Sequence, residues 1–252
     1  MENELISRIR DLDRASYSRG IRKWSCFLSE SEQARLLSFH GLLQHPGCFY
    51  AGGWEDAERK LLIWPASYDG EERALLESEL IALVKAEPVN ARFSDELTHR
   101  DFLGALMNLG IERNRIGDIL VKENAAFIFC MAELSGLLCE ELTRVKHTEV
   151  RCFAIPLHEC KLRPELREMK VNVASERLDA IISAVFRLSR KDAAEAVENE
   201  RVFVDGKVAA GCGMRLREGA RISVRGLGKF LYDGIEKESR KGRLFVKIRL
   251  YV

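Results

Sequence analysis

The spacing of apolar residues along this chain switches repeatedly between the helical and the extended period, and the switches mark out its elements. Leu5, Ile9 and Leu12 recur at helical spacing. Ser29-Glu30-Ser31-Glu32 has the form of a capping box, in which a hydroxyl and a carboxylate satisfy free amide donors at a helix start, and Ala34, Leu36 and Leu37 continue that helix. Residues 48–51 and 60–64 read as strands, with Gly52-Gly53 between them allowing a turn closed to other residues. Tyr68-Asp69-Gly70 ends this first α+β segment, residues 1–75.

Residues 76–160 follow a different order. Leu80, Ile81, Leu83 and Val84 form a strand, after a Glu-rich stretch that suits a helix. Thr98-His99-Arg100-Asp101 is a second capping box, opening a helix over 102–109 that Gly110 closes. Strands are expected over 116–121 and 125–131, a helix over 134–142, and a last strand over 150–155 that Pro156 stops. The order βαββαβ is that of a ferredoxin-like plait, a fold shared by many RNA-recognition domains. Phe127 and Phe129 alternate to one face, and core packing is the favoured reading over a base-stacking pair. Residues 161–170, charged and containing Pro164, read as a connector and the best domain boundary.

The third part, residues 165–252, predicts two short helices and a hairpin. Ser175 can cap a helix from 176 to 186 whose Leu178, Ile181, Ile182 and Val185 share one face. Arg177 would then lie in the first turn, against the helix dipole, which suits a partner or a pairing with Glu176 or Asp179. Ser189-Arg190-Lys191-Asp192 is a third capping box, and Ala193, Ala194 and Val197 give its helix a small-residue face. Arg187, Arg190 and Lys191 are left around the loop between the helices. Val202-Phe203-Val204, Asp205-Gly206 and Lys207-Val208 form a hairpin signal, residues 221–225 a further strand, and residues 244–251 an alternating terminal strand preceded by Lys237, Arg240, Lys241 and Arg243. Gly226-Leu227-Gly228-Lys229 precedes no long helix and is not a dinucleotide loop.

Composition sharpens this picture through the placement of charge. The 252 residues carry a net charge of only +1. Residues 161–252, however, hold 21 Lys and Arg against 13 Asp and Glu, a balance of +8, while residues 1–160 hold 19 against 26, a balance of −7. A basic module joined to an acidic body points to a polyanion, RNA first. No apolar run approaches the roughly 18 residues that span a bilayer, and the start lacks the plan of a secretory signal, so the expectation is a cytoplasmic protein without a membrane partner. The seven cysteines form no Cys-x-x-Cys pair and read as reduced, small apolar residues; neither metal nor cofactor is expected.

Val171 to Phe230 resembles the alpha-L, or S-four, RNA-binding motif through Arg177-Leu178-Asp179, Ser189-Arg190, Val202-Phe203-Val204-Asp205-Gly206-Lys207 and Glu218-Gly219-Ala220-Arg221-Ile222-Ser223-Val224, with Asp205 in place of the commoner Asn and Ala220 in place of an Asp. Leu97-Thr98-His99-Arg100-Asp101-Phe102-Leu103-Gly104, Leu109-Gly110-Ile111 and Ile116-Gly117-Asp118-Ile119 resemble the hallmark of the YlmH-type RNA-binding proteins, and Gly52-Gly53 with Glu58-Arg59 resembles their N-terminal signature. The resemblance implies an N-terminal α+β segment, a plait and a C-terminal S-four domain. It also implies binding to ribosomal RNA and tRNA on the large ribosomal subunit with peptidyl-tRNA, as a monomer, in rescue of stalled nascent chains by untemplated alanine tailing. Carried over by motif position, Arg177 and Arg190 are the first expected RNA contacts, followed by Ser189, Lys191, Lys207 and Arg225, with Arg187 and Lys229 beside them. Their task would be to neutralise phosphates on a structured RNA, with little reading of bases.

Catalysis is not expected. His99-Arg100-Asp101 echoes a kinase loop, but Leu106 stands where the magnesium-binding Asn belongs and no Asp-Phe-Gly follows; Asp101 is better explained as the partner of Thr98. Arg177-Leu178-Asp179 echoes a pseudouridine synthase motif, yet it lies inside the small RNA-binding module. The alternative is an RNA-modifying enzyme, of pseudouridine synthase or methyltransferase type, in which the S-four domain delivers substrate to the plait.

Overall fold

The computed structural model describes residues 2–39, 41, 43–70, 72–160, 162–164, 166–239 and 242–251. In chain order its elements are α1 (Glu2–Arg19), β1 (Lys23–Trp24), α2 (Glu30–Ser38), β2 (Phe49–Ala51), β3 (Leu61–Trp64), α3 (Arg73–Leu80), β4 (Ile81–Pro88), α4 (His99–Asn108), β5 (Ile116–Lys122), β6 (Ala125–Met131), α5 (Ser135–Glu141), β7 (Arg144–Val145), β8 (Thr148–Ile155), β9 (Leu166–Val173), α6 (Leu178–Phe186), α7 (Arg190–Glu198), β10 (Val202–Val204), β11 (Lys207–Val208), β12 (Arg221–Val224), β13 (Gly228–Glu238) and β14 (Leu244–Tyr251). The chain divides into two compact units: residues 1–29 with 39–162, and residues 30–38 with 163–252. Lys161, Arg240 and Lys241, named above for their charge, lie outside the described residues.

The first unit holds a three-stranded sheet, in the order β1-β3-β2, and a five-stranded sheet, in the order β5-β6-β4-β8-β7. The latter is the expected plait: β4-α4-β5-β6-α5-β8 with every neighbouring pair antiparallel. Alternation along its strands buries Val84, Ala86, Ala126 and Ile128 on the helix side with Phe102, Leu106 and Leu138, the central part of the core. The capping box at α4 forms as read: the Asp101 carboxylate accepts from the Thr98 amide at 2.8 Å and the Thr98 hydroxyl at 2.6 Å. Lys146, 2.8 Å away, and these two donors hold the Asp101 carboxyl down at about 2. A carboxylate tied to its own helix start in this way is a cap.

The second unit is a six-stranded antiparallel sheet, in the order β11-β10-β12-β13-β14-β9, with α6 and α7 packed together beside it. Leu178, Ile181, Ile182 and Val185 of α6 and Ala193, Ala196 and Val197 of α7 are buried with Val202, Ile222, Phe230 and Ile248 of the sheet. The small side chains of α7 let the two helices approach closely. The Asp205-Gly206 turn closes the β10–β11 hairpin with φ of 49° and 77°, the doubly positive pair that matches the twist of the strands.

Three differences from the sequence reading bear on the site. Residues 166–170 are not connector but the start of β9, an edge strand whose partner is the terminal β14. The helix read from 176 begins at Leu178, so Ser175 is not its cap and Arg177 is not in its first turn: Arg177 is the extended N-cap residue, with φ −65° and ψ 140°. Asp179 takes the first-turn position, where the helix dipole favours a negative charge. Finally, α2, read within the N-terminal segment, belongs to the second unit. Its Glu30 carboxylate accepts from Arg221 at 2.8 Å. A Cβ at Gly206 would lie 2.6 Å from the Glu30 carbonyl oxygen, so the glycine is what admits the helix start.

Candidate nucleic-acid interface

The eight expected contact residues fall into two neighbourhoods of the second unit and one flanking position. The first is the α6–α7 corner. Arg177, extended before α6, sends Nε and Nη2 to the Asp179 carboxylate at 3.1 and 3.2 Å. Arg190, opening α7, sends Nη2 to the same carboxylate at 2.9 Å. The two cations are joined by one acid. The Asp179 side chain is only 5% exposed, whereas those of Arg177 and Arg190 are 51% and 50% exposed. The acid is therefore internal and the two guanidinium groups face water. Each guanidinium has five N–H donors, and these bonds use two from Arg177 and one from Arg190.

Burial alone would push the Asp179 carboxyl up; hydrogen bonds from Arg177 and the charge of Arg190 outweigh it, and the group titrates below the usual aspartate range. Asp179 is therefore ionised near neutrality, and the corner keeps two cations against one anion. Ser189 caps α7, accepting from the Asp192 amide at 3.0 Å and donating to its carboxylate at 2.8 Å. Arg187 ends α6 in the left-handed region, with φ 54°, and its side chain is exposed. Lys191, 84% exposed, lies 3.7 Å from Glu195 one turn on. Arg187, Ser189, Arg190 and Lys191 are thus brought to one loop, and Arg177 reaches it through Asp179.

The second neighbourhood is a groove of about 560 Å³ lined by Lys207 and Arg225 together with Phe203 and, from α2, Ser31, Glu32 and Arg35. The Arg225 guanidinium sits over the Phe203 ring at 4.8 Å from its centroid. Lys229 stands apart on β13, opposite Ser223 of β12. Arg35 had no sequence signal linking it to these cations, because its helix lies some 170 residues earlier and only the tertiary fold brings it here.

The motif residues of the first unit make a different object. Asp118 accepts from Trp54 Nε1 at 3.0 Å and from the Glu58 and Arg59 amides at 2.8 and 3.1 Å. Burial pushes its carboxyl up against those three donors. Arg59 donates to the carbonyls of Ile116 and Phe27, both at 3.0 Å, and Arg113 to those of Ile116 and Gly117 at 2.6 and 3.0 Å. Burial and the neighbouring Arg59 lower the Arg113 guanidinium to about 10. Gly53, at φ 88°, lies so close to Phe129 that a Cβ would stand 2.5 Å from the ring, and Trp54 stacks on the same ring at 6.2 Å. These residues pin the 52–59 loop to the plait. Among the described residues no group of three or more His, Cys, Asp or Glu side chains is placed to hold a metal ion, and no helix is long and apolar enough to cross a membrane.

Comparison with known proteins finds a family match over the plait and one curated relative over most of the chain. Residues 81–159, the plait, match the family model described as "Putative RNA-binding domain in YlmH". The chain is 29% identical over 225 residues, 88% of its own length and 84% of the relative's, to the ribosome-associated protein quality control protein P2 of Bacillus subtilis. A solved structure, the cell division protein YlmH from Streptococcus pneumoniae, superposes with a TM-score of 0.50 at 22% identity, covering 63% of this chain and 93% of the other; that likeness concerns the fold alone.

Proposed function

We propose that this YlmH-type S-four-domain protein is a non-enzymatic RNA-binding factor that works on the large ribosomal subunit, alongside peptidyl-tRNA, in the rescue of stalled nascent chains by alanine tailing. The observation that carries the reading is the α6–α7 corner: two half-exposed guanidinium groups held side by side by one internal carboxylate. A fork of this kind suits phosphate oxygens, since guanidinium donors meet them in pairs and the fixed side chains lose little freedom on binding. The +8 balance of residues 161–252 supplies the long-range attraction. The relative named for ribosome-associated quality control supplies the cellular setting. Ribosomal RNA and tRNA are the proposed partners, the cytoplasm the proposed location, and the working form a monomer. Co-sedimentation of the full chain with purified subunits tests this. Recovery with large subunits, enriched when they carry peptidyl-tRNA, is expected; equal recovery with small subunits, or none with either, would overturn the proposal.

A further inference from the structure

Across the middle of the plait sheet, on the side away from its helices, runs a row that no single strand reveals. Lys85 of β4 is in register with Phe127 of β6 on one side and with Phe153 of β8 on the other. Cross-strand partners share a side of the sheet, so the two rings flank the lysine in one line, about 9.5 Å apart by strand spacing. The Lys85 ammonium sits 5.8 Å from the Phe127 centroid and 5.6 Å from that of Phe153. It is also 2.6 Å from the Glu87 carboxylate, which Arg151 meets with Nε at 2.8 Å and Nη2 at 2.6 Å.

The same side of the sheet is closed at its other end. Phe129, two residues along from Phe127, is fully buried beneath Gly53 and Trp54. Phe153, by contrast, is 39% exposed, and Phe127 is half-buried. Around the open end the strand register places Lys122, Arg144 and Arg151, all exposed, with Lys85, against Glu87 and Glu149. Cations exceed carboxylates there by four to two.

From this arrangement we propose that the Phe127–Lys85–Phe153 row is a second RNA contact, one that takes unpaired nucleotides by stacking bases on the two rings with a phosphate near the ammonium between them. Every base offers a π-face to an aromatic ring, and sheets that bind single strands do so through aromatics on their central strands. The centre of a protein-binding patch is normally depleted of charge, whereas here an ammonium occupies the centre and further cations ring it. The inference rests on the RNA-binding reading above, and it divides the labour: folded RNA on the second unit, an unpaired segment on the first.

The test uses the full chain and a fluorescent single-stranded RNA of about eight nucleotides, within the range one such surface covers, beside a fully paired RNA duplex. Phe153→Leu and Phe127→Leu keep apolar volume and remove the π-face. Each is expected to weaken single-strand binding by at least about fivefold, the lower end of what stacking on one ring contributes. Duplex affinity should move by less than about twofold, and Phe153→Tyr should bind like the wild type. Thermal melting of each variant separates lost stacking from lost fold, and Phe153, on the surface, is the decisive position. Wild-type affinity for the single strand in Phe153→Leu overturns the platform and leaves the face to a protein partner; so does equal loss on both RNAs, or no single-strand binding by the wild type. Arg177→Ala/Arg190→Ala, measured in parallel on the large subunit, reads the S-four assignment separately, so that either reading can fail without the other.

Discussion

Replacing Asp179 by Asn tests whether one carboxylate organises the α6–α7 corner. The change keeps the shape of the side chain and removes a charge that accepts three N–H bonds from two arginines. Both arginines are half-exposed, so solvent screens the pairs, and the Arg190 pair is discounted to about 0.5–1 kcal/mol. The first-turn anion adds about 0.3–1 kcal/mol through the helix dipole. These two contributions come to about 1–2 kcal/mol, read as faster hydrogen exchange of the α6 and α7 amides.

The effect of Asp179→Asn on RNA affinity has two opposed parts. Removing an anion near a phosphate gains about 0.7 kcal/mol at ~6 Å with the dielectric of water and about 2.8 kcal/mol at an effective dielectric of about 20, less in salt. Releasing two ordered arginines costs about 0.5–1.5 kcal/mol for each. If the carboxylate's main task is to order the arginines, binding to the large subunit should weaken, by up to roughly 50-fold, although the protein has become more positive. Since the Asp179 carboxyl titrates below its ordinary range, its contribution to stability is complete above about pH 4 and is lost as the pH falls further. The melting difference between wild type and Asp179→Asn should therefore close in acid. Tighter RNA binding by Asp179→Asn would refute the argument, because it would show that Asp179 only neutralises the arginines and does not position them.

Two further outcomes follow from the first unit. Gly53→Ala combines a positive φ with a Cβ 2.5 Å from Phe129, so it should cost about 2–4 kcal/mol in urea unfolding followed by tryptophan emission; a change below about 0.5 kcal/mol would remove the close-approach argument. Asp118→Ala strands the Trp54 indole and two amides, and should cost about 3–5 kcal/mol with a red shift of the emission as the 52–59 loop loosens; an unshifted spectrum would contradict the pinning role.

What could be read from the chain was local. The Thr98–Asp101 and Ser189–Asp192 caps, the Asp205-Gly206 turn and the strands of the plait each announce themselves within a few residues, and each stands in the structure. What could not be read depends on distant partners. β9 is rich in charge and follows a proline, and it becomes a strand because β14, more than 70 residues later, pairs with it. β13 was missed because Asp233 and Gly234 interrupt its alternation, where the structure has register shifts between Tyr232 and Ile235 and between Ile235 and Lys237. The start of α6 was misplaced because a serine and an acid at 175–176 imitate a cap, while the first-turn acid is Asp179. The Phe127–Lys85–Phe153 row escaped for the same reason as β9: its members are 26 and 42 residues apart, and only the register aligns them. Arg177 and Arg190 were named from their motif, but that a single internal carboxylate holds both was visible only in three dimensions.

The most direct test of the account is the salt dependence of binding between the full chain and the large ribosomal subunit, compared for the wild type and Arg177→Ala/Arg190→Ala. If each guanidinium neutralises one phosphate, the slope of log affinity against log salt should be shallower by about 1.4–1.8 in the double variant, with affinity reduced most at low salt. An unchanged slope and unchanged affinity would mean that the α6–α7 corner does not touch RNA.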